Sequence, residues 1–151
     1  MTVRVQREDF DPGAEIARVH AGRSDIGAVV SFVGLVRGES HGERLTSMTL
    51  EHFPGMTERE LRRIADEARA RWTLDDVAIV HRIGELKPGE RIVLVVTAAA
   101  HRQAAFEAGA FLMDYLKTRA PFWKRELNAS GEHWIEARGS DDDAAARWRR
   151  D

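Results

Sequence analysis

Basic side chains collect at the two ends of one apolar stretch, Ala99 to Glu126. His101 and Arg102 stand where a β-branched run, Arg91 to Thr97, gives way to a helix-like segment. Lys117, Arg119, Lys124 and Arg125 gather around Pro121. A helix N-terminus carries partial positive charge and unpaired N–H groups, so cations there are favourable mainly when an anion docks beside them. His101 and Arg102 therefore point to an anion. Lys117 and Arg119 sit where they complement the dipole at a C-terminus, which explains them without a ligand. Lys124 and Arg125, beyond Pro121, have no such explanation, and together the two patches suggest an anionic ligand.

The remaining composition narrows the classes of function. Lysine plus arginine number 23 against 25 acidic residues, so the formal net charge of −2 argues against a general nucleic-acid or membrane binder. The chain lacks a run of roughly 18 apolar residues and a signal-peptide pattern, so the expected location is cytoplasmic. There is no cysteine, which removes disulfides, thiolate metal sites and any thiol or persulfide carried by the chain itself. His20, His41, His52, His81 and His133 are scattered without metal-ligand spacing, so neither a metal nor a cofactor is expected.

The elements that must position the cations follow from pattern. The 151 residues suit one domain. Val3 to Gln6 reads as an edge strand, and Asp11-Pro12 opens a short helix to about Ala21. Ile26 to Leu35 is β-branched and apolar, predicting a buried central strand. Gly38 to Arg44 is polar and glycine-rich, predicting a mobile loop, and Leu45 to Phe53 resumes a strand. Thr57 and Glu60 have capping-box spacing ahead of a helix to Trp72. Val77 to Ile83 and Arg91 to Thr97 form a predicted hairpin around Pro88-Gly89. Arg102 to Arg119 is a helix apolar on most faces, after which FWKRE and HWIEAR form a strand pair and the charged end frays. This irregular alternation predicts an α+β fold, a mostly antiparallel sheet with packed helices in a single domain.

The stretches FVGLVRG (Phe32 to Gly38), LEHFPGMTE (Leu50 to Glu58), HRIGELKPGE (His81 to Glu90), HRQAAFEAG (His101 to Gly109), MDYLKTRAPFWKRE (Met113 to Glu126) and WIEAR (Trp134 to Arg138) resemble, in order and spacing, the large catalytic subunit family of molybdopterin synthase. The likeness assigns residues 1–138 to that domain and leaves 139–151 as a charged tail. It implies a sulfurtransferase that converts cyclic pyranopterin monophosphate to molybdopterin. Sulfur would come from a small ubiquitin-like carrier subunit ending in a Gly-Gly thiocarboxylate, bound to a homodimeric core in a heterotetramer. A chain without a thiol is compatible with a donor that brings the sulfur.

Carried over position by position, the resemblance makes Lys117 and Lys124 the essential lysines. It places Arg37 with the backbone of Leu35 and Val36, together with His101, Arg102, Arg125, Glu126 and Arg138, around the substrate. Arg37 could hold a phosphate or pterin carbonyl with two N–H groups. Crowding by Lys124, Arg119 and Arg125 would depress the pKa of Lys117 and suit it to proton transfer. The same cations would also serve a non-catalytic anion or nucleotide sensor.

One spacing raises a difficulty. His101 and Lys117 are sixteen residues apart, roughly 24 Å along a straight helix at 1.5 Å per residue. Either the helix breaks, with Gly109 the only candidate, or the residues serve two pockets, or a second copy supplies the missing end. The apolar faces of the helix favour the last, a two-fold dimer with shared sites.

Overall fold

The computed structural model describes residues 1–136 and 139–150. Its first sheet has four strands in the order β1 (Thr2–Gln6), β5 (Asp76–Arg82), β7 (Arg91–Ala99) and β2 (Ala28–Leu35). β1 runs parallel to β5 and the other pairs are antiparallel. Alternation along the central strands divides the core into two layers. Val77 and Ile79 of β5 and Val93 and Val95 of β7 face the helices α2 (Met56–Arg71) and α3 (Arg102–Arg119). Ala78, Val80, Leu94 and Val96 face Phe10 and Val19, the latter on α1 (Pro12–His20). Asp11 caps α1, its carboxylate accepting the Ala14 N–H at 3.2 Å.

The second sheet is antiparallel, with β3 (Glu39–Ser40), β4 (Glu43–His52), β8 (Phe122–Asn128) and β9 (Gly131–Ile135) in that order. The short β6 (Gly84–Leu86) pairs with β4. Gly84, at φ +91, lets the chain leave β5 of one sheet and enter β6 of the other one residue later. The antiparallel α+β expectation therefore holds, with a single parallel pair at β1.

Four local readings are corrected. The apolar segment ending at Leu35 is an edge strand rather than a central one: among the described residues β2 pairs only with β7, and Phe32 and Leu35 are 44 % and 53 % exposed. The Gly38 to Arg44 loop is a tight hairpin, closed by His41 and Gly42 at φ +53 and +79, the pair of left-handed residues that a two-residue β-turn requires. The cap of α2 is set by Gly55 and Glu58, whose carboxylate accepts the Gly55 N–H at 2.6 Å, while Glu60 pairs with Arg63. The end of the chain does not simply fray, for Gly139–Ala146 form α4, which packs on α3. Trp148 anchors it, donating from Nε1 to Asp114 at 2.6 Å and packing edge-on against Trp72 and Phe111.

Two buried hydroxyls fasten the elements that carry cations. Thr97 on β7 donates to the Ala105 carbonyl of α3 at 2.7 Å. Thr57 in α2 accepts the Phe53 N–H at 2.9 Å and donates to the Pro121 carbonyl at 3.0 Å, fixing the chain one residue before β8. Thr57 is fully buried, so Thr57→Val keeps the shape and strands an N–H and a carbonyl. The expected loss is about 1–3 kcal/mol, read as a lowered denaturant midpoint at unchanged slope; an unshifted midpoint would show that the hydroxyl is dispensable.

Candidate active site

A cavity of about 530 Å³ opens between the last turn of α3, the start of β8, the β3–β4 hairpin and the end of β2. Lys117 and Lys124 both line it, joined by Leu35, Arg37 and Glu126. Each arrives by a different route. Lys117 rides the C-terminal turn of α3, which runs unbroken through Gly109. There a Cβ would meet Thr97 and Val30 only at ordinary contact distance, 3.7 Å, so the small residue marks no kink. The helix stops at Ala120, whose extended backbone precedes Pro121.

Alternation on β8 sorts the next residues. Phe122, Lys124 and Glu126 share the face that lines the cavity. Arg125 points the other way, pairing with Glu51 at 3.0 Å and Glu132 at 3.6 Å and lying over the Trp134 ring. It is therefore not among the residues that line this cavity. The Val36 side chain is 2 % exposed, in a small core with Leu45, Met48, Leu50 and Leu86, so only its backbone is placed near the strand end. Its backbone is also engaged, the N–H with the Glu90 carbonyl and the carbonyl with the Gly89 N–H. A register shift between Gly34 and Leu35 ends β2 and turns Leu35 and Arg37 toward the cavity mouth.

His101 and Arg102 are exposed at the opposite end of α3 and are not among the residues lining this cavity. His101 is an extended N-cap whose side chain bonds no helix N–H, and the first turn holds no carboxylate. With the helix unbroken, the chain does not by itself bring this pair to Lys117. Arg138 lies outside the described residues. The expected crowding of Lys117 also changes in kind. Arg119 stacks on Tyr115 at 3.8 Å and pairs with Glu67, and Arg125 is turned away, so of the three expected neighbours Lys124 is the one that shares the cavity.

Electrostatically the cavity is mixed. Arg37, Lys117 and Lys124 are set against Glu39, Glu126, Glu136 and Asp141. Glu126 is the buried one at 7 % exposure, whereas Glu39 and Glu136 lie at the exposed mouth. Two ammonium groups and a guanidinium in one partly enclosed space can hold a phosphate and a carboxylate together, and a lysine can also exchange a proton. Among the described residues no cluster of histidine, aspartate and glutamate could hold a metal, and no helix is long and apolar enough to cross a membrane.

Pattern reading missed His81 and Met48 in the cavity wall, where Phe122 also lies. His81 is 5 % exposed and stacks on Phe122, with ring centroids 3.8 Å apart and planes 16° from parallel. Burial, and after it the charges of Lys117, Lys124 and His52, push its pKa down to about 3. Composition carries a further signal for the lysines: only three of the 23 basic residues are lysine, at 87, 117 and 124, and two of these share the cavity.

Known proteins resemble the chain throughout this architecture. The family model described as MoaE protein matches residues 5–119. A molybdopterin synthase catalytic subunit from Mesorhizobium japonicum is 57 % identical over 150 residues, covering 98 % of this chain and 93 % of the relative. One from Escherichia coli is 59 % identical over 128 residues, 85 % of each chain. The solved molybdopterin biosynthesis MoaE protein from Burkholderia ambifaria superposes with a TM-score of 0.84 at 52 % identity, over 97 % of both chains. With a match across most of its length in sequence and in fold, the chain belongs to the MoaE family, in which these relatives are molybdopterin synthase catalytic subunits.

Proposed function

We propose that the chain is the catalytic subunit of a molybdopterin synthase, a cytoplasmic sulfurtransferase that builds the dithiolene of molybdopterin from cyclic pyranopterin monophosphate. The observation that carries the reading is the convergence of Lys117 and Lys124, from a helix end and a strand, on one cavity with Arg37 at its mouth. Having no thiol, the chain takes its sulfur from a small ubiquitin-like carrier whose Gly-Gly thiocarboxylate enters that cavity. Glycines suit the passage because they present no side chain to the walls.

The cations hold the pterin phosphate and the donor carboxyl group, so positioning and charge stabilisation lower the barrier. The thiocarboxylate sulfur supplies the electron pair of a new carbon–sulfur bond while an oxygen substituent leaves that carbon. Hydrolysis of the resulting thioester returns the carrier as a carboxylate. Lys117 moves the proton to and from the departing oxygen, and Lys124 balances the developing negative charge. Lys117→Ala and Lys124→Ala are each expected to lower dithiolene formation from thiocarboxylated carrier and precursor by about a hundredfold or more. Folding stability should stay within about 0.5 kcal/mol of wild type. Full turnover by either variant would refute the assignment.

The subunit works as a two-fold dimer at the core of a heterotetramer. Three observations support a second copy. β2 is an open sheet edge, Phe32 and Leu35 on it are exposed, and Phe106 on the adjoining α3 is 62 % exposed. Leu35 also lines the cavity, so a copy covering that edge would abut the site. Its His101 and Arg102 then complete the anion contacts that one chain leaves distant, with Arg138 as a further anion contact. Mixing His101→Ala with Lys117→Ala subunits under exchange should restore activity. Random pairing gives hybrids as half of all dimers, each with one intact site, so about a quarter of wild-type turnover is expected. A mixture that stays inactive despite confirmed exchange would mean that each chain holds a complete site.

A further inference from the structure

His81, like Glu126, is a titratable side chain of the cavity wall that is almost wholly enclosed and to which the proposed reaction gives no task, and of the two it alone can accept a hydrogen bond without bringing a charge. Its Nδ1 lies 2.8 Å from the Arg82 carbonyl oxygen. A carbonyl can only accept, so Nδ1 must carry the hydrogen. In the neutral ring Nε2 then holds a lone pair, the only polar atom the imidazole has left. Stacking on Phe122, itself in the cavity wall, fixes the ring plane. The charged groups that act on it are Lys117 on α3, Lys124 on β8 and His52 on β4, and Glu126 on β8 and Asp141 on α4 line the same cavity. Two of these are ammonium groups, which can only donate.

We infer that His81 is a positioning residue of the proposed sulfur-transfer site: its Nε2 accepts a hydrogen bond from an N–H donor in the cavity, a lysine ammonium or an N–H of the bound pterin, and aims that donor without adding charge. Enclosure keeps the ring neutral beside the lysines, in the direction already described, so Nε2 stays an acceptor across the working pH range. A carboxylate in its place would tie up the same ammonium as an ion pair, and an apolar side chain would leave it unaimed.

The inference rests on the sulfurtransferase reading, and two measurements separate their failures. The first needs no activity and no variant. The ¹⁵N spectrum of the histidine rings between pH 6 and 9 should show His81 with a protonated Nδ1 and a bare Nε2; an Nε2–H tautomer or an imidazolium in that range would overturn the inference whatever the enzyme does. The second compares His81→Gln, whose terminal amide reaches the Nε2 position, with His81→Asn, which reaches only Nδ1 and can still donate to the Arg82 carbonyl. Gln should keep kcat within about threefold of wild type, while Asn loses about tenfold or more with KM for the carrier unchanged. The reverse order, or equal losses in two folded variants, would make the ring a structural anchor and overturn the inference; if neither variant folds, the tautomer decides. A wild-type protein that forms no dithiolene would refute the sulfurtransferase reading while the ring's tautomer still stands or falls on its own.

Discussion

Everything at the site depends on the burial of α3 against the first sheet. Ala105, Ala108, Phe111 and Leu112 have no exposed surface, and each packs into the layer formed by Val77, Ile79, Val93 and Val95. At about 1.5–3 kcal/mol for each fully buried large side chain, this contact far outweighs the cost of placing His101 and Arg102 at the wrong end of a helix dipole. Small residues at 105 and 108 let the helix lie close to the sheet, and the Thr97 hydroxyl pins its first turn. A rod held along its length can deliver its last turn to a fixed place, and that place is where Lys117 enters the cavity.

The partner wall is built by a different device. β4 is long enough to pair with β6, β8 and β3, so it joins the connection out of β5 to the strand that carries Lys124. Pairing of Leu50 with Lys124 and of Met48 with Glu126 fixes which residues of β8 face inward. Thr57 then ties α2 to the residue ahead of β8, so the second lysine is referenced to the helical layer that holds the first. The two lysines are neighbours because two independently packed elements meet there.

Much of this is legible in the sequence alone. The span of α3 followed from its apolar run and Pro121, and the strand pair after it from FWKRE, a glycine turn and HWIEAR. The failures share a cause, which is dependence on partners distant in sequence. An apolar, β-branched segment looks central whether or not a strand covers its outer edge, and β2 is such a segment at a sheet edge. Thr57 and Glu60 have the spacing of a capping box, but the helix starts earlier because Gly55 adopts φ +83, which no side-chain pattern announces. Arg125 faces away through the register of β8, and His81 enters the wall only because β5 passes beneath Phe122. Lysine scarcity, by contrast, is visible in the sequence and narrows attention to positions 87, 117 and 124 without any family likeness.

That scarcity also supplies the most direct test of the central claim, that the carrier's C-terminus lies between Lys117 and Lys124. The chain has one other lysine, Lys87, whose backbone N–H bonds Glu90 in the exposed turn before β7. A carrier ending in an ordinary Gly-Gly carboxylate, joined to the subunit by a zero-length carbodiimide reaction and mapped by mass spectrometry, reports which amine its terminus touches. The account predicts an amide between the terminal glycine and Lys117 or Lys124, suppressed by competing pterin phosphate. Cross-links confined to Lys87 or to the N-terminal amine would contradict it.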